Sequence, residues 1–436
     1  MKFKLYISEF FDLKAKGTSI KTECLAGLST FATMVYVIAV NPSILADSGM
    51  DFGAVLVATI LSTVIATALM GLWAHFPVAI APAMGVSAFF TYSIVIGQNK
   101  PWQAALGIAF LVALTLIIFH LFHLRRKILE KMPKSLSRGI TGGIGLFLAC
   151  VGLKDVGLID TSNLFISFGH INYLECGLLA LGVAVALTLM RFNIRGAFIV
   201  AILSIWILAL VIGKTTWQGI VSLPPSLMPT LGAFDLRTIW NFDYLKIYFS
   251  LFLVALFDSC AGLIILARQA GLTDEGGKIM RAQRALLPDA LGSLFASLFG
   301  SATLAIHLES SSGIKAGGRT GLTAVVVSLL FLLCLFFYPL ISSIPHFASD
   351  SVLMILGGIM LREVFDIPWK DLSESIPAIL ATATMPLTMS IYNGFLVAFL
   401  AYPIAKVVFG KAKDVPVMLW IFFLAFAVQL SLSIFL

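Results

Sequence analysis

Charge is scarce in this chain. Its 436 residues carry 29 Lys and Arg against 22 Asp and Glu, so charged side chains make up 12% of the total. A water-soluble surface needs roughly 25–35% of such residues, and this one would also have to hide 35 Phe in a composition that is 59% apolar. A soluble domain is excluded. Cysteine offers no chemistry: Cys24, Cys150, Cys176, Cys260 and Cys334 are scattered without metal or redox spacing. HExxH, nucleophile-elbow and P-loop patterns are missing. Neither an enzyme nor an ATP-driven pump is expected, and no metal or organic cofactor, only a proton as the coupling ion. The first 21 residues hold Lys2, Lys4, Lys14, Lys16 and Lys21 but lack the apolar stretch of a cleavable leader. The formal charge of +7 does not indicate nucleic-acid binding, because basic residues of membrane proteins collect on one side of the bilayer.

Long apolar runs are what the chain does have. Mean hydropathy is +1.01, and run after run approaches the roughly 20 residues that span a hydrocarbon core. The expected fold class is an all-α polytopic membrane protein. Spans are placed near 22–40, 51–73, 78–97, 102–123, 135–152, 171–190, 196–213, 246–268, 282–299, 303–317, 320–340, 351–363, 373–390 and 394–409, with a last apolar helix at 415–435 as a fifteenth span or a rim helix. An N-terminus on the cytoplasmic side of the cell (inner or plasma) membrane places 24 of the 29 Lys and Arg inside, which the positive-inside rule favours. The N-terminal arm, 1–21, is either a surface helix or a disordered basic leader.

Two spans are imperfect. HFPVAIAPAMG (75–85) and SATLAIHLESSSG (301–313) carry Pro, Gly and polar residues, tolerated at membrane depth only where the freed backbone is buried in protein or lines a cavity. They occupy the third and tenth places, so segments 1–7 and 8–14 echo each other. Seven spans per half is odd, which makes the second half an inverted repeat, and its paired interruptions point to a midplane binding site. GGIG (142–145) supplies small residues for close helix contact. Asn41–Pro42 and Asn393–Gly394 are expected to mark helix ends.

The candidate residues stand in and around these breaks and in the eighth segment. Asp258, in LFLVALFDSCAGLII, and Glu309 lie in apolar surroundings. An acid at the bilayer centre costs roughly 2.5–3.5 kcal/mol even on a lenient scale, so both are expected to bind substrate and to couple it to protons. Alternation in the short tenth-segment strand would put Ala305, His307 and Glu309 on one face, His307 serving as a proton relay or as a core histidine. Gly85 and Ser87 face this acid from the third segment, and Phe31, Phe89, Phe90 and Phe257 are candidate flat walls for a small heteroaromatic or anionic solute.

Several stretches resemble one family: KTECLAGLSTFATMVYVIAVNPSIL (21–45), FPVAIAPAMGVSAFFTY (76–92), PKSLSRGITGGIGLFLACVGLK (133–154), ESSSGIKAGGRTGLTAVVVSLLFL (309–332) and MPLTMSIYNG (385–394). They run in order from 21 to 394 and are similar to the AzgA-like purine permeases of the nucleobase–ascorbate transporter superfamily. The resemblance implies a UraA-type fold of seven plus seven inverted helices. It divides the chain into a core domain (22–130 and 246–345) and a gate domain (131–213 and 346–412), joined by an extracytoplasmic linker (214–245) and followed by a C-terminal helix (413–436). It further implies proton-coupled uptake of a purine nucleobase, with Asp258 and Glu309 as the binding acids, and it admits a homodimer through the gate domain. Departures cluster at the site: Ser87 replaces a usual Asn, Asp258–Ser259–Cys260–Ala261–Gly262 replaces DTxGTL, and Thr303–Leu304–Ala305–Ile306–His307–Leu308–Glu309–Ser310 replaces TTTSYIES. These changes reshape a pocket while sparing both acids. The rival readings are a same-fold carrier for another heterocycle or a small anion, and a channel-like or non-transporting membrane protein.

Overall fold

The computed structural model describes residues 2–125, 132–160, 167–237, 239, 242–273 and 279–435; the side chains of 2–4, 242, 243, 257–261, 264, 429 and 432–435 lie outside that description. Asp258, Phe257 and Cys260 belong to this last group. The arm forms α1 (Lys2–Phe10), after which Phe11 and Leu13 are buried with Leu322. The first span is two helices, α2 (Ile20–Met34) and α3 (Val37–Ala46), with Ser19 capping the start. Asn41 and Pro42 lie inside α3 and do not end it. Then come α4 (Phe52–Leu69), started by the Asp51 side chain and prolonged by a π-turn to Ala74, and the third segment, β1 (Ile80–Pro82), α5 (Met84–Ala88) and a π-helical stretch (Phe89–Ile96). The first half continues with α6 (Trp102–Leu121), α7 (Lys134–Asp155), a small hairpin of β2 (Ile159–Asp160) and β3 (Ser167–Phe168), α8 (Tyr173–Arg191) and α9 (Ala197–Ile212).

The second half repeats this plan with α10 (Phe242–Gln269), α11 (Ala282–Phe299), β4 (Leu304–Ile306), α12 (Ser310–Lys315), α13 (Gly321–Leu333) running on to α14 (Tyr338–Ser342), α15 (His346–Leu361), α16 (Leu372–Leu387) and α17 (Ile391–Val408). Segment twelve starts five residues earlier than its apolar run suggests. Pro345 sets the helix entrance, and Ser349, Asp350 and Ser351 are buried against neighbours. The last helix, α18 (Val417–Phe435), lays Phe422 and Phe426 against Phe399 of α17. Among the described residues, seven helical stretches are long and apolar enough to cross a bilayer by themselves.

The helices pack in two groups. One contains α2–α6 and α10–α13; the other contains α7–α9 and α15–α17. The second is closed by small residues: a Cβ on Gly145 of α7 would sit 2.5 Å from the Gly357 carbonyl of α15, so the two backbones touch as the GGIG motif suggests. It is pinned at one end by buried Lys406, whose Nζ lies 2.5 Å from Glu374 Oε1; Ser135 and Tyr402 also donate to that carboxylate.

At the centre of the first group β1 and β4 pair antiparallel, Ile80 opposite Ile306, Ala81 opposite Ala305 and Pro82 opposite Leu304. All six residues are buried. A strand pair this short leaves outward N–H and C=O groups that neither water nor a further strand can satisfy. Hydroxyls from the flanking helices take them. Thr67 Oγ1 of α4 donates to the Ile80 carbonyl (2.9 Å) and accepts from its N–H (3.0 Å); Ser293 Oγ of α11 accepts from the Leu304 N–H (3.0 Å). The arrangement recurs in both halves. On its outer side Gly262 of α10 lets helix meet strand, since a Cβ there would lie 2.8 Å from the Ile306 carbonyl.

Polar groups also cross the seam between the two groups. Tyr92 donates to Asp47 Oδ2 (2.7 Å) and, at 3.5 Å, to Asp155 Oδ2 of α7. Asp350 of α15 stands within electrostatic reach of both acids, and Ser43 bonds the ring of His346 (2.8 Å). Burial raises the Asp47 carboxyl above its ordinary value; the Tyr92 hydroxyl and the His346 charge act in the opposite sense without cancelling it.

Two outcomes follow from these contacts. Thr67→Val strips both bonds from Ile80, at about 1–3 kcal/mol per stranded group; the detergent-solubilised protein should melt several degrees lower, while Thr67→Ser should melt like the wild type. Equal melting of Thr67→Val and wild type would show that the strand edge is satisfied elsewhere. Asp47 gives a pH signature. A carboxyl raised in the folded state contributes stability below its ordinary value near 3.8 and loses it as pH rises through the folded value. Asp47→Asn keeps an acceptor for Tyr92 and removes that loss, so its melting advantage should grow from about pH 4 toward neutrality; a pH-independent difference would contradict the assignment.

Candidate functional site

The break in the first span lies opposite the break in the tenth. Between α2 and α3 the chain places Tyr36, buried at 2% exposure, and its hydroxyl donates to Glu309 Oε1 at 2.6 Å. Thr33, one turn earlier, donates to the Glu309 carbonyl (3.3 Å) and bonds Ser312 (2.9 Å), which donates in turn to the Ser29 carbonyl (3.0 Å). The acid is half-buried and held by the first span at both its backbone and its side chain. Tyr36 also meets Phe198 of α9 edge-on, with ring centroids 5.2 Å apart. One residue therefore touches the acid on one side and the other helix group on the other.

The expected common face of Ala305, His307 and Glu309 is not present. Strand β4 ends at Ile306, and the chain turns through 307–309 into α12, so Glu309 takes helical dihedrals and leaves the alternation. His307 is buried; its N–H donates to the Ala79 carbonyl, and its Nδ1 lies 3.1 Å from the Ala305 carbonyl. That bond fixes the Nδ1–H tautomer and turns the ring toward its own strand.

Ser87 is fully buried and donates to Asn41 Oδ1 at 2.6 Å. The Asn41 amide donates to Thr59 (2.7 Å) and Ser301 (3.2 Å), so one carboxamide ties the first, second, third and tenth segments together. Phe89 is fully buried in the main core, and Phe31 packs edge-on against Phe331 at 5.2 Å. Gly85 faces the other group, where a Cβ would lie 2.8 Å from Ile144 of α7. Asp258 lies on α10, the helix that crosses β4 at Gly262; its side chain is outside the described residues.

Two residues that reading by type did not single out, Tyr36 and Glu23, hold this region together with Asn41, which was expected only to mark a helix end. Glu23 has no exposed surface, and its carboxylate accepts from the N–H groups of Arg319, Thr320 and Thr323 and from the Thr323 hydroxyl. It thereby caps α13, where the positive end of a helix favours an anion. All three lie in KTECLAGLSTFATMVYVIAVNP, and the signal for them was a polar or phenolic side chain set in an apolar run.

The model of the permease family matches residues 21–397. The chain is 40% identical over 409 residues to the adenine permease AdeP of Escherichia coli, covering 94% of this chain and 92% of that one. It is 36% identical to the guanine/hypoxanthine permease PbuO of Bacillus subtilis (96% and 99%) and 29% identical to the nucleobase transporter PlAzg2 of Paenibacillus larvae (88% and 76%). Two solved structures share the fold. The transmembrane domain of the cyanobacterial bicarbonate transporter BicA superposes with TM-score 0.64 at 17% identity over 88% of this chain and 97% of that one. Murine Solute Carrier 26 family member A9 superposes with TM-score 0.68 at 13% identity over 89% and 68%. This is the UraA-like architecture of seven plus seven inverted segments, in a multi-pass membrane protein that is a transporter and not an enzyme. The chain belongs to the permease family of nucleobase–ascorbate transporters, in its AzgA-like branch.

Proposed function

We propose that the protein imports a purine nucleobase together with a proton by alternating access. The observation that carries this reading is the Glu309 carboxylate, held by Tyr36 where two interrupted segments pair at the centre of one helix group. The acid there accepts from the N–H edge of a base as a carboxylate and holds a proton taken from solution as a carboxylic acid. The names of relatives at 36–40% identity, adenine permease and guanine/hypoxanthine permease, support a purine as cargo. Asp258 is the second acid of the reading, the N-terminus is cytoplasmic, and the core (22–130, 246–345) and gate (131–213, 346–412) segments move against each other. Tyr36 links the two: it donates to the acid of the core and packs on Phe198 of the gate, so the occupancy and protonation of Glu309 are felt at the seam. The anion-carrier alternative finds no support at Glu309, which repels an anion.

Uptake of radiolabelled adenine, guanine and hypoxanthine into proteoliposomes tests the reading. Influx should follow an inward proton gradient and collapse with a protonophore, and Glu309→Gln should reduce it to background. Wild-type rates in Glu309→Gln would remove Glu309 from the mechanism. Tyr36→Phe deletes a single hydrogen bond to a charged group, about 1.5–3 kcal/mol; transport should fall roughly tenfold to a hundredfold with the protein still folded. An unchanged rate would show that the phenol serves packing alone.

A further inference from the structure

A recess of about 320 Å³ lies far along the chain from Glu309, at the seam between the two helix groups. The π-helical stretch supplies Ser93 and the turn after it Gln98, the start of α10 supplies Lys246, and the turn between α16 and α17 with the first turn of α17 supplies Thr388, Ser390 and Asn393. The first two elements belong to the group built round β1 and β4, the third to the other. These residues sit where the third and thirteenth segments end and the eighth and fourteenth begin, at the face opposite the N-terminal arm in the proposed topology.

Two features mark this as more than a surface dent. Ser93 is 3% exposed, and its Oγ has no hydrogen-bond partner among the described residues although it lines the recess. A buried hydroxyl left unmade costs about 1–3 kcal/mol, recovered when a ligand offers a donor or acceptor. It sits in a π-helical stretch, a distortion common at functional sites. Opposite it, Met389 takes a left-handed φ of 45°, a conformation a long side chain rarely adopts. That turn carries Thr388 and Ser390 into the recess on either side of Met389.

The chemistry matches a planar neutral heterocycle. Two carboxamides, Gln98 and Asn393, can each donate and accept along one edge, the pairing by which Asn and Gln read adenine. Hydroxyls serve either role and Lys246 favours an acceptor-rich edge. Ile247, Met389 and Tyr392 supply apolar surface, and the volume is at the lower end for small-molecule sites, roughly 300–1,000 Å³. A dedicated anion site would bring more cations than one lysine.

We infer that this recess is a second, outer nucleobase-binding site, occupied before the base reaches Glu309. The inference rests on the purine-transport reading and fails separately from it. Equilibrium binding of radiolabelled adenine and hypoxanthine to the purified full chain should give two sites per chain, one of them weaker. Glu309→Gln should keep the weaker site, and adding Asn393→Leu should abolish it. In the otherwise wild-type chain, Asn393→Leu or Ser93→Ala should raise the KM for uptake about threefold to tenfold, the value of a hydrogen bond or so, with the maximal rate within about twofold. Stability separates site from scaffold. Ser93→Ala removes an unpaired buried hydroxyl, so it should melt no lower than wild type while binding base less well. One Glu309-dependent site only, wild-type KM in both variants, or occupation of the Asn393-dependent site by inorganic phosphate or sulfate in place of the bases would overturn the outer site and leave the transport reading standing. Absence of any base binding by the wild type would overturn both.

Discussion

Six buried residues, Ile80–Pro82 and Leu304–Ile306, pair as strands inside a helical membrane protein, and the rest of the molecule is arranged to make that tolerable. A helix satisfies its own backbone; a three-residue strand does not, and in hydrocarbon each stranded amide costs several kcal/mol. The neighbours meet this demand. Thr67 and Ser293 cover the outer edges, Ser310 accepts from the Ala79 N–H, and Ala83 and His307 extend the pairing by one bond at each end. Pro82 stands in the strand and needs no acceptor, having no N–H to satisfy. The break thus forces hydroxyls onto α4 and α11 and a glycine onto α10.

The same demand explains the polar inventory of the first group. Asn41, Thr59, Ser87 and Ser301 form one closed set of bonds, and Glu23 closes another at the start of α13. Networks of this kind are stable at low dielectric only when every member is paired. Ser87 belongs to this set. It fastens the third segment to the first.

How much of this could be read from residue types divides along physical lines. The spans were legible because apolar length is a local property, and the two breaks because Pro77, Pro82 and the polar run around Glu309 are incompatible with an uninterrupted buried helix. Register was not legible. Nothing local says that β4 stops at Ile306, so alternation carried one turn too far wrongly put Glu309 on the face of Ala305. Partners across the fold were hidden as well. Tyr36 reads as one more aromatic in TMVYVIAV until the tenth segment is folded against it, and Thr67 or Ser293 could equally have bonded its own helix, as Ser62 does to Ala58. Phe89, a candidate aromatic wall, has no exposed surface and packs in the main core, which residue type alone does not tell from a site wall.

The distribution of bonds bears on motion. Inside each group the contacts are expensive to break: paired buried polar groups on one side, the Gly145–Gly357 approach and the Lys406–Glu374 pair on the other. Across the seam the contacts described above are of another kind: a ring edge at Tyr36–Phe198, a methyl at Gly85–Ile144, a shared phenol at Tyr92 and one hydroxyl–imidazole bond at Ser43–His346. An edge-on ring pair contributes about 0.5–1.5 kcal/mol, far below the cost of opening a buried network. If the two groups slide, as the transport reading requires, they can do so without unpairing the strands, because the strands and the hydroxyls that satisfy them all lie in one group. The site at Glu309 would then travel as a rigid unit, and the changing element is what faces it. Tyr36 is the exception. It is bonded into the moving unit and packed on the other, so the acid's occupancy and the seam's geometry are joined through one phenol.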